Sequence, residues 1–431
     1  MDKPYKKINY DRKPIKTRWY LLPLIWIIVT FMLFKVKHKI IKENFTKIKG
    51  GCLIVSNHMC FTDFKLLEKF LFPRRSYYIS SIDEFVYKEW IMRRLGCIPK
   101  KVHFRDMKMI RTIVKLLKKR NIVSLYPEAT YSFAGVENMI DQSLGKLAKM
   151  ANVPVIVINQ KGNYLYSPRW NTKPVNKEVP LIFTAKMVVN KDEVANLSAD
   201  EIQNRINEYF PYDEYKYQRE NHIKIHSSNK ACHIDRILYK CPNCLCEKCI
   251  EGINNEIHCT NCNATYEIDE LSILKNKNGE TKFDSISSWF TFQRKFVKED
   301  INNNKYDIEF PVKISKLLNC KLGFDHNFAK GIARQNNDGI KVYGKVNETN
   351  EDFYFEYNQK LNSTIHVTYD VKGCHDSGVE VHDENNSYLI YPLDKTPVIK
   401  IRFAVEEAHI KYQKELKKWW PHFFLNVYFY K

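Results

Sequence analysis

Leu53-Ile54-Val55-Ser56-Asn57-His58-Met59-Cys60-Phe61-Thr62-Asp63 is the stretch that decides the reading of this chain. A short apolar run breaks into a polar turn that sets a histidine five residues ahead of an aspartate. Further on, a second apolar run, Ile122-Val123-Ser124-Leu125, ends in Tyr126-Pro127-Glu128-Ala129-Thr130-Tyr131-Ser132. Residues five apart do not share a helix face. His58 and Asp63 therefore meet only if the chain bends between them, as it does at a strand-to-helix junction. Asp63 would then fix the imidazole tautomer and leave the other ring nitrogen as a base for a hydroxyl.

Apolar runs at 52–56, 122–126 and 153–159 read as strands covered on both faces. Between the first two, Ile110, Ile113, Val114 and Leu117 face one way while Lys108, Arg111, Lys115 and Lys118 face another, the spacing of an amphipathic helix. This is α/β organisation. The 431 residues are enough for several domains. Residues 1–50 read as a basic membrane-anchoring segment, 51–220 as an α/β catalytic domain, and 221–240 as a polar connection. Residues 225–275 hold a Cys-rich module, and 280–431 read as a mostly antiparallel β domain. Its expected strands are KVYGKV, DFYFEY, TIHVTYDV, SYLIYPL and VIKIRFAV.

Net charge is +20, and residues 1–50 carry 13 Lys/Arg against 3 Asp/Glu. Half the excess thus sits beside the uncharged run Trp19 to Phe34, which is marginally short for a bilayer span. Both flanks are basic, so a monotopic or re-entrant anchor at the cytoplasmic face of a membrane is expected, bent at Pro23. The basic, then aromatic tail Lys411 to Lys431 offers a second interfacial contact or a segment docked on the β domain.

The NHxxxxD string, the Pro-Glu-x-Thr block and the VPV run that follows together resemble the glycerolipid acyltransferase family. Its best-known members acylate lysophosphatidic acid. The resemblance covers roughly 50–220 and the N-terminal anchor. It implies that His58 is the general base and Asp63 orients it, and that Glu128 and Thr130 bind the acceptor. The family block ends Glu-Gly-Thr-Arg; here Ala129 and Tyr131 replace the glycine and the arginine. Lys100, Lys101 or Arg105 is expected to supply the missing cation. A bacterial subgroup is similar in its YPEA-Ser/Thr-Tyr-Ser block and its C-terminal Cys-rich module. The implied reaction moves an acyl chain from acyl-CoA or acyl-carrier protein to the hydroxyl of a lysophospholipid. The oxyanion donor is expected among backbone N–H groups of the His58 or Glu128 loops. Phe61, Phe64 and Tyr126 are candidates to shelter the acyl chain.

Six of the 12 cysteines lie within 241–262. Cys241-x2-Cys244, 14 residues, then Cys259-x2-Cys262 is zinc-ribbon spacing, which suits a closed, structural tetrahedral Zn²⁺. Cys246 and Cys249 form a third pair that blurs the assignment. Free thiols beside a metal-type cluster indicate a reducing compartment. The alternative reading is an inactive relative acting as an adaptor that binds nucleic acid or protein through the ribbon. The window 230–270 is net acidic, which argues against nucleic acid. A lipid hydrolase lacks support because there is no G-x-S-x-G elbow.

Overall fold

The computed structural model describes residues 9–10, 12–45, 48–101, 103, 106–172, 175–370 and 376–419. Strands β1 (His38–Glu43), β2 (Cys52–Ser56), β3 (Ser76–Ser81), β4 (Cys97–Lys100), β5 (Ile122–Leu125), β6 (Val155–Lys161) and β7 (Leu181–Val189) form one sheet. Its order is β1-β7-β6-β2-β5-β3-β4. The five strands from β6 to β4 run parallel. β7 returns antiparallel to β6, and β1 lies parallel to β7. The sheet therefore begins inside the segment expected to be only an anchor.

The continuous apolar runs are explained by burial on both faces. Leu53, Val55, Val123, Val155 and Val157 point to one cluster, shared with Ile113 and Leu117 of helix α4. Ile54, Ile156 and Ile158 point to the other, with Leu66 and Leu67 of α2. The helices of this half are α1 (Leu22–Leu33), α2 (Thr62–Leu71), α3 (Glu89–Arg94), α4 (Met107–Lys118), α5 (Leu144–Ala151), α6 (Asn163–Tyr166), α7 (Ala199–Tyr209) and α8 (Glu214–Glu220). Asp106 caps α4 by accepting from the Met109 N–H at 3.0 Å.

No helix among the described residues is long and apolar enough to cross a membrane. The apolar N-terminal run folds as α1, and Pro23 stands in its first turn, where proline fits, rather than bending it. Val29 and Leu33 are buried, while Trp19, Ile27, Phe31 and Phe34 are exposed.

A small antiparallel sheet follows: β8 (Ile250–Ile253), β9 (Glu256–Cys259), β10 (Thr265–Ile268) and β11 (Leu274–Asn276), in order β11-β10-β9-β8. The connection ahead of it is not merely polar. Ile223, Ile225, Ala231, Ile234, Ile237 and Leu238 are buried and weld the two units together.

The third unit is a seven-stranded antiparallel sheet of β12 (Asp307–Asn319), β13 (Gly323–Asn336), β14 (Gly339–Val346), β15 (Asp352–Asn358), β16 (His366–Thr368), β17 (Gly378–His382) and β18 (Ser387–Pro392). Its order is β15-β14-β13-β12-β18-β17-β16. Helices α9 (Ile286–Asn302) and α10 (Val398–Trp419) accompany it.

VIKIRFAV, expected to be a strand, is the start of α10. Of Val398 to His409, only Lys400 is not fully buried. A helix covered on all sides shows no 3.6-residue polarity period, so its sequence imitates a buried strand. Polar groups inside it are paired within the structure. Arg402 Nε donates to Glu406 Oε1 at 2.7 Å, one turn on, and both side chains are 2% exposed. Arg294 of α9 and Thr364 also bond Glu406, each at 2.7 Å. The end of the tail, 420–431, lies outside the described residues.

This third unit sits on the first. The Tyr87 N–H donates to the Cys320 carbonyl at 2.6 Å, and the Arg402 guanidinium lies 4.7 Å over the Phe133 ring. Removing one partner of a buried ion pair strands the other charge. Glu406→Gln is expected to destabilise the C-terminal unit by about 3–5 kcal/mol, read as a lower denaturation midpoint in urea. An unchanged midpoint would mean that the Arg402 and Arg294 charges are held by something else.

Candidate active site

His58, Asp83 and Tyr126 all follow the carboxyl ends of parallel strands, where open α/β sheets place their ligands. The turn after β2 is built by side chains that stand in for backbone. Asn57 pairs with Gln160 of β6 through both its amide atoms: Nδ2 donates to the Gln160 carbonyl and Oδ1 accepts from its N–H, each at 2.9 Å. The pairing prolongs β2 by one rung and aims the next residue, His58, off the sheet.

The chain then bends as the five-residue spacing requires. Asp63, in the first turn of α2, is fully buried. Its Oδ2 accepts from His58 Nδ1 at 3.0 Å, from the Met59 N–H at 2.5 Å and from the Cys60 N–H at 3.0 Å. Its Oδ1 accepts from Asn163 Nδ2 at 2.6 Å. Four donors thus surround the Asp63 carboxyl group at the start of α2. With Nδ1 committed to Asp63, Nε2 is the nitrogen left to act as base, on a side chain 18% exposed.

Two tyrosines hold the imidazole. Tyr126 stacks on it at 4.1 Å and 22°, and Tyr131 lies at 4.2 Å and 36°. Two rings so close and so nearly parallel to the imidazole cannot share one of its faces, so His58 is sandwiched. The Arg169 guanidinium lies 5.8 Å from the centre of the Tyr131 ring. The Tyr126 hydroxyl is buried and has no hydrogen-bond partner among the described residues. Burial and the nearby Asp63 charge hold that phenol well above its usual range, so it stays protonated.

Glu128 braces the site from inside the protein. It is 1% exposed, and both its oxygens are engaged inside the protein. Oε1 accepts from the His58 N–H at 3.0 Å. Oε2 accepts from the Asn138 N–H and Nδ2, each at 2.8 Å, and from the Tyr212 hydroxyl at 3.0 Å. Burial pushes its carboxyl up to about 7 against these donors. The Ser132 N–H closes the link by donating to the His58 carbonyl at 2.8 Å. Both peptide groups of His58 are thus fastened to the loop after β5, and its N–H is not free to stabilise an oxyanion. The Ala129 N–H is likewise spent, on the Tyr126 carbonyl at 3.0 Å. Ala129 has φ +53°, a left-handed conformation that glycine adopts without cost, which is why glycine suits this position.

The other expected contacts are scattered. Thr130 is buried. Lys101 Nζ is held by the carbonyls of Asp383 and Glu384 at 2.8 and 2.7 Å, so it joins the two large units and does not face His58. Lys100 is desolvated, which lowers its pKa against the opposing pull of Asp141 and Asp106. Arg105 lies outside the described residues. Phe61 is exposed beside the His58 turn, whereas Phe64 packs on Tyr78 at 5.0 Å. Arg169, Asn163, Asn138 and Tyr212 were not foreseen; none carries a motif, and all but Asn138 lie far in sequence from the residue they contact.

In the Cys-rich unit, Cys241, Cys244, Cys259 and Cys262 converge, with all four sulfurs within 4.8 Å. The pairs Cys241–Cys262 and Cys244–Cys259 are 3.7 Å apart. Four ligands at about 2.3 Å from a tetrahedral Zn²⁺ stand about 3.8 Å apart, so this set fits a metal ion. Cys246 points to the Glu247 carbonyl instead, and Cys249 lies 3.6 Å from Cys259 without joining the four.

The site makes a sharp spectroscopic prediction. The Asp63 bond puts the neutral imidazole's proton on Nδ1. ¹⁵N NMR of labelled histidine is expected to show His58 as the Nδ1–H tautomer, with Asp63→Asn shifting the population toward Nε2–H. An Nε2–H tautomer in the unmodified chain would show that Asp63 does not orient the base.

Residues 37–160 match the family model described as Acyltransferase. No curated protein matches the chain. Among solved structures it is similar to the crystal structure of the 1-acyl-sn-glycerophosphate (LPA) acyltransferase PlsC from Thermotoga maritima, at 20% identity, covering 44% of this chain and 76% of that one, with a TM-score of 0.36. The matched span runs from just before β1 into β6 and takes in His58, Asp63 and the whole Tyr126–Ser132 block. Residues 37–160 thus carry an acyltransferase domain, as the glycerolipid acyltransferase motifs in the sequence lead one to expect.

Proposed function

We propose that the protein moves an acyl chain from a thioester donor, acyl-CoA or acyl-carrier protein, to the hydroxyl of a lysophospholipid such as lysophosphatidic acid. The observation that carries this reading is the His58–Asp63 bond, 3.0 Å long, in a domain of this family. His58 Nε2 takes the proton of the acceptor hydroxyl as its oxygen bonds to the thioester carbonyl carbon. The carbonyl oxygen becomes an oxyanion. Collapse re-forms the C=O bond and breaks the C–S bond, and the imidazolium proton leaves with the thiolate. Asp63 stabilises that imidazolium.

The oxyanion needs a donor that the His58 N–H does not supply. The unpartnered Tyr126 hydroxyl is the candidate, since it is protonated and lies on a ring stacked against the base. Arg169 is the candidate for the acceptor phosphate, because its guanidinium lies over Tyr131, the residue that replaces the family's arginine. The test is acyl transfer by the purified chain with labelled acyl-CoA and acyl-carrier protein against a lysolipid panel. His58→Ala is expected to abolish turnover, and Tyr126→Phe to lower kcat by about 10²–10³-fold. Arg169→Ala is expected to raise KM for phosphate-bearing acceptors alone. No turnover with any pair of substrates in a folded sample would end this reading.

We also infer a monotopic attachment to the cytoplasmic face of a membrane. Trp19, Ile27, Phe31 and Phe34 form an exposed apolar edge, with Phe31 82% exposed, beside Lys16, Arg18, Lys35 and Lys37. A closed Zn²⁺ site of Cys241, Cys244, Cys259 and Cys262 would act structurally, holding β8 to β11. Co-sedimentation with phosphatidylglycerol vesicles is expected to fall at least tenfold when Trp19, Phe31 and Phe34 are all changed to Ser. Equal sedimentation would place the attachment elsewhere.

A further inference from the structure

Two histidines and two carboxylates that the acyl-transfer chemistry does not use meet where the antiparallel sheet lies on the catalytic unit. His366 and Glu380 are directly opposite each other in the antiparallel pair β16–β17. Opposed residues project from the same face with Cβ atoms about 4.5–5.5 Å apart. His382 stands two residues beyond Glu380 on that same face. Asp83, from the turn after β3 of the other unit, meets them from the far side of the interface. The ligand atoms of Asp83, His366 and Glu380 all lie within 4.8 Å of one another.

Among the described residues, most of the ligand atoms of these groups have no hydrogen-bond partner. Glu380 is 1% exposed, and neither of its oxygens is bonded. Asp83 Oδ1, His366 Nδ1 and His382 Nε2 are also buried and unbonded. His382 Nε2 stands 3.7 Å from Glu380 Oε1 and its other nitrogen is bonded to Ser387 Oγ at 2.8 Å. A buried carboxylate ordinarily has donors or a cation. Protonating Glu380 does not by itself solve the problem, because the open nitrogen of His382 stands 3.7 Å from Oε1, beyond hydrogen-bond distance. The neighbouring arginine does not serve: Arg402 is spent on Glu406.

We propose that Asp83, His366 and Glu380, with His382 as a fourth ligand, bind one divalent first-row transition-metal ion at the junction of the two large units. An ion about 2.0–2.2 Å from four tetrahedral ligands holds their atoms about 3.3–3.6 Å apart, so a pair at the 4.8 Å limit closes by about 1.2 Å, within reach of side-chain rotation. Two carboxylates neutralise the ion. Mixed nitrogen and oxygen donors suit Mn²⁺, Fe²⁺ or Zn²⁺ and not the thiolate-seeking ions. The Ser387 bond to His382 is the outer contact that commonly orients a ligating imidazole. This site is separate in chemistry and in place from the four cysteines.

Mn²⁺ is the probe, since it is hard and has little affinity for the thiolate site. The full-length chain is dialysed against citrate and titrated with Mn²⁺, and the free ion is followed by electron paramagnetic resonance. One equivalent is expected to vanish from the free signal. Glu380→Gln and Asp83→Asn, one change on each side of the interface, are each expected to weaken uptake at least tenfold, while Glu348→Gln, at an exposed carboxylate of the antiparallel unit, leaves it unchanged. Metal retained at the cysteines in the two interface variants reports that they are folded. No uptake by the unmodified chain, or uptake equal in all variants, would overturn the proposal.

Discussion

The fully buried carboxylate of Asp63 is the group around which this catalytic half is arranged. It collects an imidazole, two backbone N–H groups and the amide of Asn163, which lies 100 residues further along. The donors come from two segments that would otherwise be free to move: the turn after β2 and the start of α6. A charge taken out of water is tolerated only when it is fully bonded. The requirement works in both directions: the donors make the carboxylate acceptable, and the carboxylate fixes the donors. Glu128 repeats the device on the next strand. It ties the His58 peptide to the Asn138 and Tyr212 segments, so the residue of the second motif holds the residue of the first.

The antiparallel unit extends this arrangement across the carboxyl ends of the parallel strands. Its contacts with the first unit are of several kinds: the Lys101 ammonium on two carbonyls, Arg402 over Phe133, the Tyr87 N–H on Cys320, and the unsatisfied group of Asp83, His366 and Glu380. Its electrostatics reach the chemistry as well. His366 is depressed to about 4, chiefly by burial, with Arg402, Arg169 and the His58 imidazole adding to it. A covering unit within electrostatic range of the base is part of that base's environment.

What could be read in the chain follows from the range of the interactions concerned. The strands β2, β5 and β6 are apolar on both faces and so stand out as unbroken runs. The His58–Asp63 pair is legible because five residues and one bend contain it. The four cysteines are legible because ligand spacing within one small unit is short. By contrast, α10 is buried all round and loses its period, and the Ile223–Leu238 connection hides its apolar residues among polar ones. Arg169 and Asn163 act across long separations with no motif to mark them. Glu128 shows a further limit: the motif locates the residue, but only its four bonds reveal that it faces inward.

The two tyrosines that hold the imidazole also restrict how anything can reach it. A ring covered on both faces can neither swing to a second position nor accept a partner from above or below. It offers an edge. Whatever gives a proton to Nε2 must arrive in the plane of the ring. The protein thereby replaces a search over directions with a single approach.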